Sequence, residues 1–173
     1  MGIPRFAVAA SAPDAHNRTP PPMLHLVLVH PEIPPNTGNI ARLCAVTQTR
    51  LHLIEPLGFR MDEPLLRRAG LDYIDQAVIE VHPSWEAFAP WLAGRRFFLI
   101  ETGAPRSLWQ TRFQDGDALI LGRETQGLPP SLLAAHPDRT ISIPMFNPQS
   151  RSLNLSTAAG VALYEALRQI HSA

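Results

Sequence analysis

A chain of 173 residues with 45% apolar content has room for one hydrophobic core and is too apolar to be disordered. Its 15 cationic and 15 anionic side chains cancel, which excludes a protein that coats nucleic acid non-specifically, because such binding scales with the phosphates neutralised. One cysteine, Cys44, and seven scattered histidines exclude a disulfide framework and place no His or Cys pair at metal-ligand spacing, so the expectation is a metal-free protein of a reducing, cytoplasmic compartment.

No apolar run approaches the roughly 18 residues that span a bilayer, so no membrane association is expected. All the cations are arginine. Codon bias explains this, and so does a use for arginine's planar fork in recognising phosphates and bases.

Residues 1–22 are rich in Pro, Ala and polar side chains and end in Thr19-Pro20-Pro21-Pro22. They carry no periodicity and predict a flexible leader before a single domain over residues 23–173. Phe6 to Ala10 is too short for the apolar region of a secretory signal. Leu24 to Val29 reads as a buried strand. Ile33-Pro34-Pro35-Asn36 stops it, with Asn36 as the expected N-cap of a helix that turns Ile40, Leu43, Cys44 and Thr47 inward and Asn39 and Arg42 outward. Leu51 to Ile54 is a second strand, Pro64 to Ala69 a helical turn and Ala77 to Val81 a third strand. Trp85 to Leu92 is a helix, Arg96 to Ile100 a strand, Ala118 to Leu121 a strand, Ser131 to Ala135 a short helix and Thr140 to Ile143 a sixth strand. The last helix lines up Leu155, Ala159, Ala162, Leu163, Ala166 and Ile170 on one stripe. Alternating strand and helix predict an α/β domain with a mostly parallel sheet and helices on both faces.

Such sheets bind ligands beyond the carboxyl ends of their strands, which directs attention to three loops. Asn36-Thr37-Gly38-Asn39-Ile40-Ala41-Arg42 follows the first strand; it reads as a capped helix with a surface arginine, or as an anion site at a helix N-terminus. Leu121-Gly122-Arg123-Glu124-Thr125-Gln126-Gly127-Leu128-Pro129 follows the fifth. It lacks the Lys-Ser/Thr of a phosphate loop, and no G-x-G-x-x-G occurs in the chain. What remains is a glycine-bracketed turn, either plain or built for close backbone approach to a flat ligand. Ile143-Pro144-Met145 and Ser150-Arg151-Ser152-Leu153-Asn154-Leu155-Ser156 open the final helix, with more hydroxyl and amide groups than one cap uses.

Together, in this order, the three loops resemble the motifs of the SPOUT class of RNA methyltransferases. Pro31 to Ile40, Leu51 to Phe59 and Arg67 to Tyr73 are similar to the TrmL family, tRNA (cytidine/uridine) 2′-O-methyltransferases of the anticodon wobble nucleotide. The likeness runs from about Met23 to Ile170. It departs around Phe146-Asn147-Pro148-Gln149, where this chain is one residue longer.

The resemblance implies a C-terminal trefoil knot over about Gly122 to Leu155, an exception to the rule that chains are unknotted. It implies S-adenosylmethionine as cofactor, held by Ile100, Thr102, Gly122, Glu124, Gly127, Ile143, Met145, Ser152 and Leu153, and a homodimer acting on the tRNA anticodon loop. The catalytic group carried over is Arg42 with Asn36, Ser152 and Asn154. A guanidinium is a poor base, so stabilisation of the developing alkoxide is the expected role of Arg42, with the other three orienting it and the ribose. Arg67, Arg68, Arg123 and Arg151 are candidate phosphate contacts, and Tyr164 with Arg168 a candidate RNA or subunit contact. Alternatives are another tRNA or rRNA target, or a non-catalytic RNA-binding module of the same fold. An ordinary adenine-nucleotide enzyme is disfavoured by the missing glycine signatures.

Overall fold

The computed structural model describes residues 23–62, 64, 68 and 76–171. The expected leader, most of the turn expected over Pro64–Ala69, and Arg67 lie outside them. The elements in chain order are β1 (His25–Val29), α1 (Pro34–Thr47), β2 (Arg50–Ile54), β3 (Ile79–His82), α2 (Trp85–Leu92), β4 (Phe97–Ile100), β5 (Arg106–Ser107), β6 (Ala118–Leu121), α3 (Pro130–Ala135), β7 (Thr140–Ser142) and α4 (Leu155–His171). The strands form one sheet in the order β3-β2-β1-β6-β4-β7-β5, and every pairing is parallel. Six strands match the sequence expectation within two residues at each end. The seventh, β5, has only two residues and therefore no periodicity for a sequence to display.

The central strands read as unbroken apolar runs because both of their faces are covered. Leu26, Leu28, Leu51, Leu53, Leu119 and Leu121 face α1 and α4, meeting Ile40, Cys44, Ala159, Ala162 and Leu163. Val27, Val29, Ile54, Leu99 and Ile120 face the other way, toward Phe88 and Leu92 of α2 and Leu132 of α3. The alternation is the period-2 of a strand expressed twice, once per layer.

Asn36 does not cap α1. The helix starts at Pro34, with Ile33 at the cap position and no side-chain cap bond. Proline lacks an N–H and its φ is already helical, so Pro34 and Pro35 fill the first two positions without leaving donors to satisfy. Asn36 thus sits in the first turn, and its side chain is released for longer-range bonds. The outward placing of Asn39 and Arg42 holds. None of the described helices is long and apolar enough to cross a membrane.

Cys44 is buried in the layer between α1 and the sheet, and burial pushes its thiol up to about 12. The thiolate is the reactive species. Native protein at neutral pH is therefore expected to leave Ellman's reagent unreacted, and protein unfolded in guanidinium to release about one equivalent of the chromophore per chain. Rapid labelling of the native chain would contradict the buried placement.

Candidate active site

All the strands point one way, so their carboxyl ends share an edge. Chain growth runs from β1 outward to β2 and β3, then resumes on the other side of β1. At such a switch point the loops diverge and leave a crevice. A cavity of about 440 Å³ lies there, within the ~300–1,000 Å³ usual for small-molecule sites.

All of the cofactor-site candidates line this cavity: Ile100 and Thr102 after β4, Gly122, Glu124 and Gly127 after β6, Ile143 and Met145 after β7, and Ser152 and Leu153 before α4. Asn36 and Asn154 also line it, as do Arg123 and Arg151. Arg42 does not. It lies exposed on α1, two turns beyond Asn36. Arg68 is exposed. Tyr164, 55% exposed, flanks a separate shallow groove between α1 and α4 with Val46, Leu167 and Arg168.

The loop after β6 is a closed turn. Arg123 N donates to Gly127 O at 3.1 Å and Gly127 N donates to Arg123 O at 2.9 Å. Gly127 takes φ +68°, a region costly for residues with a Cβ. Gly122 packs against the far side of the same turn, where a Cβ would overlap the Gly127 carbonyl and Leu128 N. These glycines close the loop on itself, a use the sequence pattern left undecided between a plain turn and a ligand cradle. Glu101 clamps the turn from β4: its Oε2 accepts from Leu128 N at 2.8 Å and its Oε1 from Thr102 N at 3.1 Å.

The turn is then tied to the start of α1 by a reciprocal clasp. Glu124 accepts from Glu32 N at 2.8 Å, Ile33 N at 3.2 Å and Asn36 Nδ2 at 3.0 Å. Glu32 in return accepts from Thr125 Oγ1 at 2.7 Å and Thr125 N at 3.2 Å. Asn36 Oδ1 accepts from Asn154 Nδ2 at 2.9 Å. Asn154 Oδ1 accepts from Ser156 N at 2.9 Å and Thr157 N at 3.4 Å, which makes Asn154 the N-cap of α4. The Glu124 carboxylate, read from the sequence as a cofactor contact, is thus also a structural clasp. Arg123 donates to His30 Nδ1 at 2.8 Å; burial, then this guanidinium, holds His30 below the ordinary histidine value. Sequence reading missed Glu32, Glu101 and Thr125, because their partners are 27 to 93 residues away and no local pattern marks them.

Known proteins share the sequence and fold of this chain. A model of the SpoU rRNA methylase family matches residues 23–164. The tRNA (cytidine(34)-2'-O)-methyltransferase of Methylovorus glucosotrophus (strain SIP3-4) is 51% identical over 148 residues, covering 85% of this chain and 96% of the relative. A structure solved for insight into the 2-OH methylation of C/U34 on tRNA superposes with a TM-score of 0.84 at 49% identity, over 88% of this chain and 99% of that one. The SpoU methyltransferase AviRb of Streptomyces viridochromogenes, solved with AdoMet, gives 0.78 at 26% identity over 90% and 63%.

Two substitutions test the construction. Gly122→Ala forces the Gly127 backbone aside, so calorimetric binding of S-adenosylhomocysteine is expected to weaken at least about tenfold while the fold persists by circular dichroism. Glu124→Gln places an amide donor against amide donors, and the melting midpoint is expected to drop by about 2–8 °C, corresponding to ~1–2 kcal/mol. Unchanged values would mean that the clasp is not what shapes the cavity.

Proposed function

The chain belongs to the SpoU rRNA methylase family, and on that premise we propose that it methylates the ribose 2′-hydroxyl of the wobble pyrimidine in the tRNA anticodon loop, using S-adenosylmethionine. Relatives at about half identity over most of the chain carry that activity in their names. The observation that carries the reading to this molecule is the clasp, which joins Asn36 to Asn154 at a cavity also lined by Ser152, the closed glycine turn and the apolar Ile100, Ile143 and Met145.

The residues present fit such a cofactor. Apolar walls and exposed peptide groups suit an adenine ring, and the glycine turn offers backbone rather than side chains to it. When bound, S-adenosylmethionine supplies a methyl group on a positively charged sulfur for in-line displacement. This chain then has to orient the ribose, exclude water and manage the departing hydroxyl proton. Asn36 and Asn154 hold one another's amides fixed. Ser152 stands exposed at the cavity wall. Arg42 stabilises the developing 2′-alkoxide as a fixed positive charge, and the proton passes to a phosphate or water.

Arg42 does not line its own chain's cavity, and on the same side of α1 Val46 is 60% exposed, in a groove shared with Tyr164 and Leu167. This supports a homodimer in which that face is covered and each protomer's Arg42 serves the other's cavity. Arg123 and Arg151 at the cavity, with Arg67 and Arg68, are assigned to phosphate contact, and Tyr164 to the subunit or RNA surface. The same reading includes a trefoil knot over about Gly122 to Leu155. Its support is the family and the insertion of β7 between the earlier strands β4 and β5.

Arg42→Lys separates charge from shape, since lysine keeps the charge and loses the planar fork. Turnover on unmodified tRNA is expected to fall by at least about tenfold, with S-adenosylhomocysteine affinity unchanged. Near-normal turnover would reject the fork. Nucleoside mass spectrometry of tRNA from cells lacking the protein is expected to show loss of the 2′-O-methylated wobble pyrimidine; an unchanged level would reject the substrate.

A further inference from the structure

The face of the sheet that packs against α2 carries a line of imidazoles running from β1 to the edge strand β3. His25 of β1, His52 of β2 and His82 of β3 project from one face, because His52 pairs in register with Val27 on one side and Glu80 on the other, while His25 lies two residues before Val27 and His82 two residues after Glu80. His25 Nδ1 and His52 Nε2 are 3.1 Å apart, and so are His52 Nδ1 and His82 Nε2. The Glu80 Oε2 atom lies 3.7 Å from His52 Nδ1, while Glu80 Oε1 is the oxygen that accepts from Arg50. His52 is wholly buried, walled by the rings of Phe88 and Trp91 at 5.3 and 4.7 Å between centroids. His82 and Glu80, on the edge strand, are partly open to solvent.

We propose that His52 Nδ1, His82 Nε2 and Glu80 Oε2 bind one divalent transition-metal ion of the zinc class, with water completing a tetrahedron. Tetrahedral bonds of about 2.0–2.1 Å put ligand atoms about 3.4 Å from one another. The separations from His52 Nδ1, 3.1 Å to His82 Nε2 and 3.7 Å to Glu80 Oε2, bracket that value, and the ligand atoms of the three residues all lie within 4.8 Å of one another. Two imidazoles and a carboxylate are a donor set that zinc prefers.

The tautomers agree. A histidine ligand usually donates its second ring N–H to a fixed acceptor. His52 meets that condition with its proton on Nε2, which donates to His25 Nδ1 and leaves Nδ1 bare for the metal; His25 then carries its own proton on Nε2. His82 then carries its proton on Nδ1. Both imidazoles bind as neutral molecules with one N–H each, so metal binding changes tautomers along the line and releases no imidazole proton.

The ion would staple the edge strand β3 to β2. Its charge exceeds that of the single carboxylate, and Arg50 stands close by, 42% exposed, so Arg50 must turn toward solvent. Local sequence spacing concealed this group, because its members come from strands 28 to 30 residues apart and meet only through sheet register.

The test uses the full, untagged chain and is independent of methyl transfer. Titration with Zn²⁺ is expected to saturate at one equivalent with a dissociation constant below about 10 µM. Co²⁺ in its place is expected to give the intense visible absorption of a four-coordinate centre. His82→Ala and Glu80→Gln, both at partly exposed positions, should each weaken binding at least about tenfold, whereas His171→Ala should leave it unchanged. Absence of saturable binding at 100 µM Zn²⁺, taken as roughly tenfold above the expected constant, or equal binding by the His82 and Glu80 variants, would overturn the site.

Discussion

The candidate site depends on the hydrogen-bond polarity of one side chain. A carboxylate can only accept, so Glu124 fixes which end of the Asn36 amide faces it. Asn36 Nδ2 donates to Glu124, which turns Asn36 Oδ1 toward Asn154 and requires Asn154 to donate through Nδ2. Asn154 Oδ1 is then left to accept the first amides of α4. Donors thus run in one direction, from the positive end of a helix to a carboxylate. Asn36 is only 6% exposed, and breaking the line would strand a buried amide at a cost of about 1–3 kcal/mol.

That line joins segments 88 and 118 residues apart and so converts three separate loops into one wall. It also divides the labour in the proposed reaction. Asn36 and Asn154 have both ends of their amides engaged within the protein, which makes them positioning residues. Arg42 lies outside the cavity and belongs to a different surface, the face of α1 beside the Val46–Tyr164 groove. In the proposed dimer the charged group of each site would come from the other protomer, which would couple chemistry to assembly.

The two halves of the sheet have different burdens. From β1 toward β5 the strand ends support loops that build the cavity. From β1 toward β3 the same parallel register aligns polar rings on a buried face, and the edge strand is held by histidine and carboxylate contacts as well as by the ladder. Register is what makes both possible, since a slip of one residue would send His52 to the opposite layer.

Much of this was legible in the sequence, for physical reasons that can be named. Apolar runs with period 2 and a small-residue stripe in α4 are local signals, and they located six strands and four helices. The glycine turn and the polar cluster before α4 also stood out, because positive φ and capping are local needs. The start of α1 was misplaced: a capping residue and a proline pair compete for the same role, and the prolines fill the first turn. What only the tertiary structure decided was who bonds to whom. Glu32, Glu101, Thr125 and the second role of Glu124 are set by partners far along the chain, and the meeting of His52 with His82 is set by strand register. A sequence records which groups are present and where the chain turns; pairing of buried polar groups is decided only when the loops converge and each must find a partner or lose its water for nothing.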